Sequence, residues 1–459
     1  MLSLSPDARE IQGPILTPED PGYDAARTVF MGGVDRRPAL ITRPTDAADV
    51  ARVIALARDS GAELAVRGGG HSPAGHSASD GGVVLDLRGL RAIDIDLAGR
   101  TAWAGGGLTA GEYTAAAGEH GLATGFGDAG SVGIGGIATA GGAGFLVRRH
   151  GLTIDDVLAA EVVTADGERL RADAQTHPDL FWAIRGGGGN VGVVTRLQLR
   201  LHPVGQILGG MLLLPATPEV LEGLVAEAGD APEELSVIAN VMKAPPLPFV
   251  PAEHHGRPVV MALLAHTGEV QAGEHAVDRL RALATPIADM VRPMPYPALF
   301  EGPEPERGQA AEARTLFADR LDGRAASAVV EAVERSTAPR AVAQLRVLGG
   351  ALARVPADAT AFAHRDRRIM ATVVAMYARP EERAVHEAWA AALADALRDG
   401  EDGAYAGFLG DEGAARVRAA YPGGHWDRLG AIKADYDPDN VFRLNQNIPP
   451  AAGSERLAA

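Results

Sequence analysis

Val66-Arg67-Gly68-Gly69-Gly70-His71-Ser72-Pro73-Ala74-Gly75-His76-Ser77 is the stretch from which the rest of this chain is best read. Three consecutive glycines remove side chains, so backbone N–H groups can approach a ligand closely and adopt positive φ. Such a run makes a nest of amides suited to a pyrophosphate. The run ends in His71, a nucleophile held against whatever those amides bind. A glycine-rich surface loop with a solvated histidine would look the same in isolation, so the surrounding chain has to decide.

Two further glycine blocks follow. Gly125 to Phe145 (GFGDAGSVGIGGIATAGGAGF) is too rich in glycine to form a helix by propensity. It reads as a loop system wrapped around a ligand, because Val132, Ile134, Ile137 and Phe145 are not linker residues. Phe181 to Asn190 (FWAIRGGGGN) carries the third run and leads into Val191 to Leu201, with Val193, Thr195, Leu197 and Leu199 alternating on one face. Three such runs suit a large ligand with a diphosphate and two flat ring systems.

Around these blocks, Asp46 to Ser60 has helical periodicity, with Val50, Val53, Ile54 and Ala57 on one face and Asp46 or Thr45 as cap. Strands are expected at Glu63–Val66, Gly82–Leu87 and Ala92–Asp96, and a helix at Thr109–His120. Leu158–Ala165 and Glu168–Ala172 form a hairpin about the Asp166-Gly167 turn. After Pro203 the pattern changes. Strands near Leu208–Leu214, Leu235–Val241 and Pro258–Ala265 alternate with helices such as Glu219–Glu227 and Ala272–Ala284. This is the pattern of an antiparallel sheet with helices on one face. From Ala404 the character changes again, with a helix at Asp411–Tyr421 and a closing loop from Pro438. The expected units are an extension over 1–36, a ligand-binding domain over 37–204, a substrate domain over 205–403 and a terminal segment over 404–459.

Composition excludes several chemistries. The chain has 459 residues, 46% apolar, with a formal net charge of −16. That charge argues against nucleic acid and anionic membrane surfaces as partners. There is no cysteine, so thiolate nucleophiles, Fe–S clusters and disulfides are excluded. Neither lysine, Lys243 or Lys433, follows a glycine run, which excludes a Walker A loop. Gly133-Ile134-Gly135-Gly136 lies in too many glycines to open the helix of a Rossmann unit. No H-E-x-x-H occurs, and His254-His255 sits in a Pro-rich loop, so no metal is expected. Met1 to Phe30 shows no signal-peptide pattern and no span is apparent, so a cytoplasmic location is expected.

Four blocks in this order resemble the FAD-linked oxidases of the vanillyl-alcohol oxidase superfamily, with a PCMH-type FAD-binding domain, in the berberine-bridge-enzyme-like and 6-hydroxynicotine-oxidase-like branch. They are VRGGGHSPAGHS (66–77), GDAGSVGIGG with the following glycines (127–144), DLFWAIRGGGGNVGVVT (179–195) and YDPDNVFRLNQNI (436–448). The resemblance implies an α+β fold: a two-part FAD-binding domain, then a substrate domain with an antiparallel sheet covered by helices. It implies FAD bound covalently through His71, a link that raises the flavin potential by withdrawing electron density. Flavin contacts are implied for Arg67, Gly68, Gly69, Gly70, Ser72, His76 and Ser77. They are implied too for Asp128, Ala129, Gly130, Ser131, Val132, Gly133, Gly135, Gly136, Ala138, Gly141 and Gly142. Val162, Gly192 and Val194 would reach the flavin and adenine, and Asn445 and Asn447 would approach the ring from the other side.

Two departures from the family pattern bear on function. Many relatives carry a second flavin link through a cysteine where this chain has Ala129, so attachment here is through His71 only. The family's Tyr-x-Asn-Phe/Tyr segment is Tyr405-Ala406-Gly407-Phe408, which removes a polar contact. The implied chemistry is hydride transfer from a C–H next to O or N of a small organic substrate, with a base taking the O–H or N–H proton. Dioxygen then restores the flavin and yields hydrogen peroxide. The small Ala138, where relatives gate oxygen, points to an oxidase. A dehydrogenase using another acceptor, or an FAD-binding protein without chemistry, fits the same motifs. Tyr405 and Tyr436 are the leading candidates for the base, followed by Tyr377, His364 and Arg365.

Overall fold

Val50, Val53, Ile54 and Ala57 are fully buried, and they fix the first helix against a small sheet. The computed structural model describes residues 10–301, 309–400 and 402–452; the outer ends of the expected 1–36 and 404–459 segments lie outside them. Strands β1 (Ile15–Leu16), β2 (Leu40–Thr42), β3 (Leu64–Arg67) and β4 (Val83–Asp86) form a sheet in the order β1-β2-β4-β3. β4 runs parallel to both β2 and β3. Helix α1 (Ala47–Ser60) starts where the Asp46 side chain accepts the Asp49 N–H at 2.8 Å and stops at Gly61, φ 67°.

A second sheet is antiparallel throughout. It comprises β5 (Ile93–Asp96), β6 (Thr101–Gly105), β7 (Val157–Val163), β8 (Arg169–Asp173) and β9 (Val193–Arg200), in the order β5-β6-β9-β7-β8. Helix α2 (Ala110–Gly118) opens on a capping box between Thr109 and Glu112.

The glycine block after it corrects the sequence expectation. It contains a helix, α3 (Ile134–Ala140), which begins right after Gly133. Ile134, Ala138 and Thr139 are buried, and Thr139 Oγ1 donates back to the carbonyls of Gly135 and Gly136. Tertiary burial outweighs the propensity cost of two helical glycines. Gly135 is needed there, because a Cβ on it would lie 2.7 Å from the Gly106 carbonyl oxygen. A short helix, α4 (Pro178–Ile184), likewise precedes the third glycine run.

The largest sheet holds β10 (Gln206–Pro215), β11 (Leu235–Lys243), β12 (Pro258–His266), β13 (Ala310–Ala318), β14 (Arg340–Val347) and β15 (Ile369–Tyr377), with two short strands over 288–295. Its order is β10-β12-β11-β14-β15-β13, all antiparallel. One face, including Val237, Ala239, Leu345 and Val373, is covered by α5 (Pro218–Asp230), α6 (Val270–Arg281), α7 (Gly323–Arg335) and α8 (Arg383–Leu397). The fold is therefore α+β with a helix-covered antiparallel sheet. The other face turns toward the glycine blocks: Ile238 packs with Phe145 and Leu146, and Phe317 and Met370 pack with Ala143, Leu152 and Tyr405.

The expected helix over Asp411–Tyr421 shrinks to α9 (Ala414–Ala419), because Gly413, at φ 81°, breaks it at the start. A longer helix follows, α10 (His425–Tyr436). It carries Lys433, fully buried, whose Nζ donates to Asp437 (2.8 Å) and to the carbonyls of Asn190 (2.8 Å) and Phe442 (2.9 Å). Asp437 in turn accepts the Val441 and Phe442 N–H groups. This knot pins the terminal segment to the third glycine run. Lys433→Met would leave the Asp437 carboxylate buried without its cation. It is expected to cost about 3–5 kcal/mol in urea unfolding; a loss below about 1 kcal/mol would show that the knot does not hold the segment.

Candidate functional site

The site is built where two glycine runs cross backbone to backbone. β3 delivers Gly68–Gly70, and the loop before α3 delivers Ser131–Gly133. A Cβ on Gly69 would stand 2.3 Å from the Gly133 nitrogen, and one on Gly133 would stand 2.2 Å from the Gly69 nitrogen. Only glycine permits this approach at both positions. The second loop is hung on the start of α2, where Ala110 N–H donates to Val132 and Gly111 N–H to Gly130. Gly106 closes the crossing from below: its N–H donates to Thr195, and a Cβ on it would lie 2.6 Å from the Val194 carbonyl oxygen. Val162 and Val194 face each other in register across β7 and β9, with Gly192 pressed on Val162.

The crossing leaves room on one side. Nothing lies within 4 Å of where a Gly136 Cβ would sit, on the first turn of α3. Ser131 Oγ is buried there without a hydrogen-bond partner. His71 follows the positive-φ Gly70 (77°), and its half-buried ring lies flat on Phe30, centroids 4.1 Å apart. Phe30 N–H donates to the Gly70 carbonyl, so the N-terminal segment holds the His71 turn. Ser72 Oγ accepts the His76 N–H. Burial, with Arg36 nearby, pushes His76 down to about 4. The Arg67 guanidinium points back into the protein, to the carbonyls of Ser77, Ala26 and Arg27. Only the Arg67 backbone can serve a ligand.

The terminal segment brings up a third wall. Asn190 Oδ1 accepts the Ile448 N–H, and its Nδ2 donates to Gly187 and Gln446. Asn445 Nδ2 donates to Gly189 and Phe442. The Oδ1 atoms of Asn445 and Asn447 stay buried and unpartnered.

The groups named from sequence as possible bases are otherwise engaged. Tyr405 is buried, its hydroxyl accepts the Gly142 N–H at 2.7 Å, and burial raises it above its ordinary value. Its ring fills the space at two glycines: a Cβ on Gly141 would lie 2.7 Å and one on Gly407 2.9 Å from it. Gly407 in place of the family's asparagine therefore seats Tyr405 as a latch on the Gly141-Gly142 turn. Tyr436 donates to Asp179 on α4, away from the crossing. Burial raises Tyr377 to about 12, and it donates to Glu312. His364 is pushed down to about 4 by burial and stacks on Phe317. Arg365 makes a two-pronged pair with Asp155. Ala138 faces the hydrophobic cluster of the second sheet, 1% exposed.

Sequence reasoning missed Phe30 and Arg346. Neither belongs to a motif, and each reaches the site from a distant part of the chain. Arg346 on β14 pairs with Asp128 in the second glycine block at 2.8 Å.

Comparison with known proteins agrees with this geometry. The "FAD binding domain" family matches residues 38–173, and "Berberine and berberine like" matches 404–449. The chain is 33% identical to (R)-6-hydroxynicotine oxidase of Paenarthrobacter nicotinovorans, over 96% of this chain and 97% of that one. The solved structure of 6-hydroxy-D-nicotine oxidase from Arthrobacter nicotinovorans superposes with a TM-score of 0.87 at 29% identity, covering 98% of this chain and 99% of that one. Glucooligosaccharide oxidase from Acremonium strictum shares the fold, with a TM-score of 0.83 at 24% identity over 97% and 98%.

This chain belongs to the berberine-bridge-like family of FAD-linked oxidoreductases. It is an enzyme with an FAD-binding domain. The residues fit the cofactor: unhindered amides and space at Gly136 suit a diphosphate, the unpartnered Ser131 hydroxyl can donate to it, and two orphaned amide oxygens suit the ring's N–H.

Two outcomes follow. Gly136→Ala is expected to fold with a gain of up to about 1 kcal/mol from helix propensity. It should also retain less FAD than wild type on apoprotein titration; unchanged occupancy would remove Gly136 from the cradle. Tyr405→Phe orphans the Gly142 N–H and is expected to cost about 1–3 kcal/mol of stability. Because burial keeps Tyr405 protonated through and above its ordinary value of about 10, the shape of the turnover–pH profile below that value is expected to be unchanged. Loss in the variant of an acid-side limb that the wild type shows would make Tyr405 the base.

Proposed function

We propose that this enzyme is an oxidase of a small organic molecule, with its FAD attached through His71 alone. The observation that carries this reading is the position of His71. It closes the Gly68–Gly70 turn at the mouth of the cradle, with its ring held flat by Phe30. The glucooligosaccharide oxidase of Acremonium strictum carries a 6-S-cysteinyl, 8α-N1-histidyl FAD. This chain has no cysteine anywhere, so a thioether link has no source here and the histidyl link stands alone.

A bound flavin supplies a hydride acceptor. The chain's own residues do the rest. The amides of 68–71 and of Gly133, Gly135 and Gly136 hold a diphosphate, those of Val132 and Ile134 being taken by the Ala129 and Leu108 carbonyls, and Asn445 and Asn447 offer acceptors to the ring. The uncovered sheet face closes the site against bulk water and orients a substrate C–H beside an O or N. Relatives named as oxidases support dioxygen as the final acceptor, with hydrogen peroxide as product.

The test is acid precipitation of the purified enzyme beside His71→Ala. Yellow colour should stay with the wild-type precipitate and leave with the supernatant in the variant. A panel of secondary amines and alcohols, with 6-hydroxynicotine among them, should then release peroxide in air. Acid-released FAD in the wild type would remove the histidyl link. Turnover only with an artificial electron acceptor, without peroxide, would replace oxidase by dehydrogenase.

A further inference from the structure

Asp128 was expected to touch the flavin, because it lies in the second glycine block. Its side chain instead turns toward the uncovered face of the large sheet. Oδ1 accepts from Arg346 Nη2 at 2.8 Å, and Oδ2 accepts from Gln344 Nε2 at 3.4 Å. Arg346 is itself clamped. Its Nη1 donates to the Ala143 carbonyl, its Nη2 also donates to Gln344 Oε1, and its guanidinium lies over the Phe408 ring. Gln344 Nε2 also reaches Asn240 Oδ1 on the adjacent strand, at 2.9 Å. A polar chain therefore crosses from the sheet to the glycine block and ends on one carboxylate.

The two ends of that chain are unequally accessible. The Arg346 side chain is 4% exposed and that of Asp128 is 21% exposed. The cation is sealed in, and the anion keeps part of its surface open. A carboxylate has about four acceptor positions, of which Arg346 and Gln344 occupy two. On the sheet face that carries Gln344 and Arg346 stands Thr372, in register with Gln344. Its Oγ1 is buried without a partner. A held carboxylate with acceptor positions to spare, bonded to Gln344 whose strand neighbour carries an unpaired hydroxyl, describes a subsite for a hydrogen-bond donor.

We propose that Asp128, positioned by Arg346 and Gln344, is the substrate-recognition group, and that it selects molecules presenting an N–H or O–H donor while repelling carboxylates. A protonated amine gains a charge-assisted hydrogen bond there; a carboxylate meets a fixed like charge and cannot reach the buried arginine. The net charge of −16 acts in the same direction at long range. The assignment rests on the flavin reading above.

The test uses the flavin-loaded enzyme and three probes of one shape: benzylamine, benzyl alcohol and benzoate. Each is titrated against the flavin absorbance of wild type, Asp128→Asn and Asp128→Ser. A colourless preparation would end the flavin reading before any probe is added. With flavin present, wild type is expected to bind benzylamine at least about tenfold more tightly than benzoate, which corresponds to about 1.4 kcal/mol. That preference should collapse toward unity in both variants while the flavin spectrum without probe stays unchanged. Equal binding of benzoate by wild type, an unchanged preference in the variants, or no response to any probe would overturn the assignment.

Discussion

The contact between the backbones of Gly69 and Gly133 is the constraint on which the rest of this structure depends. Two stretches of the backbone meet with no side chain between them, and a single methyl on either would collide with a backbone nitrogen. That contact sets the start of α3, places Ser131 beside the amides of 68–70, and fixes where His71 emerges. It also explains why the helix tolerates Gly135 and Gly136. The first abuts Gly106, and nothing lies within 4 Å of a Cβ on the second.

The second constraint lies between the domains. Helices cover one face of the large sheet, and its other face packs on the glycine blocks. Ile238, Phe317 and Met370 seal it against the glycine block with apolar contacts. Asn240, Gln344, Arg346 and Thr372 leave a polar strip between those contacts. Strand alternation produces both, since residues two apart share a face. The interface is apolar at its edges and polar along one row.

The terminal segment is a clasp more than a domain. Lys433, Asp437 and Asn190 share one buried hydrogen-bond network, and Tyr405 latches the Gly141-Gly142 turn. Asn445 is held by its Nδ2 bonds to Gly189 and Phe442, and the Oδ1 atoms of Asn445 and Asn447 stay buried without partners.

The glycine runs, the order of the four motifs, the periodicity of α1 and the alternation of β9 were all legible in the residues, because each rests on local conformational preference or on spacing along the chain. The missing cysteine was equally plain. The helix inside the second glycine block was not legible, because tertiary burial holds it against its propensity. The roles of Tyr405, Asp128, Phe30 and Arg346 were not legible either. Tyr405 matched a motif but was turned by two glycines into a latch. Asp128 matched a cofactor block, but its partners lie more than two hundred residues away in the chain. Phe30 and Arg346 belong to no motif at all. Spacing along a chain can say which backbone must be bare. Only the folded arrangement decides which side chains meet, because those meetings depend on the packing of whole layers.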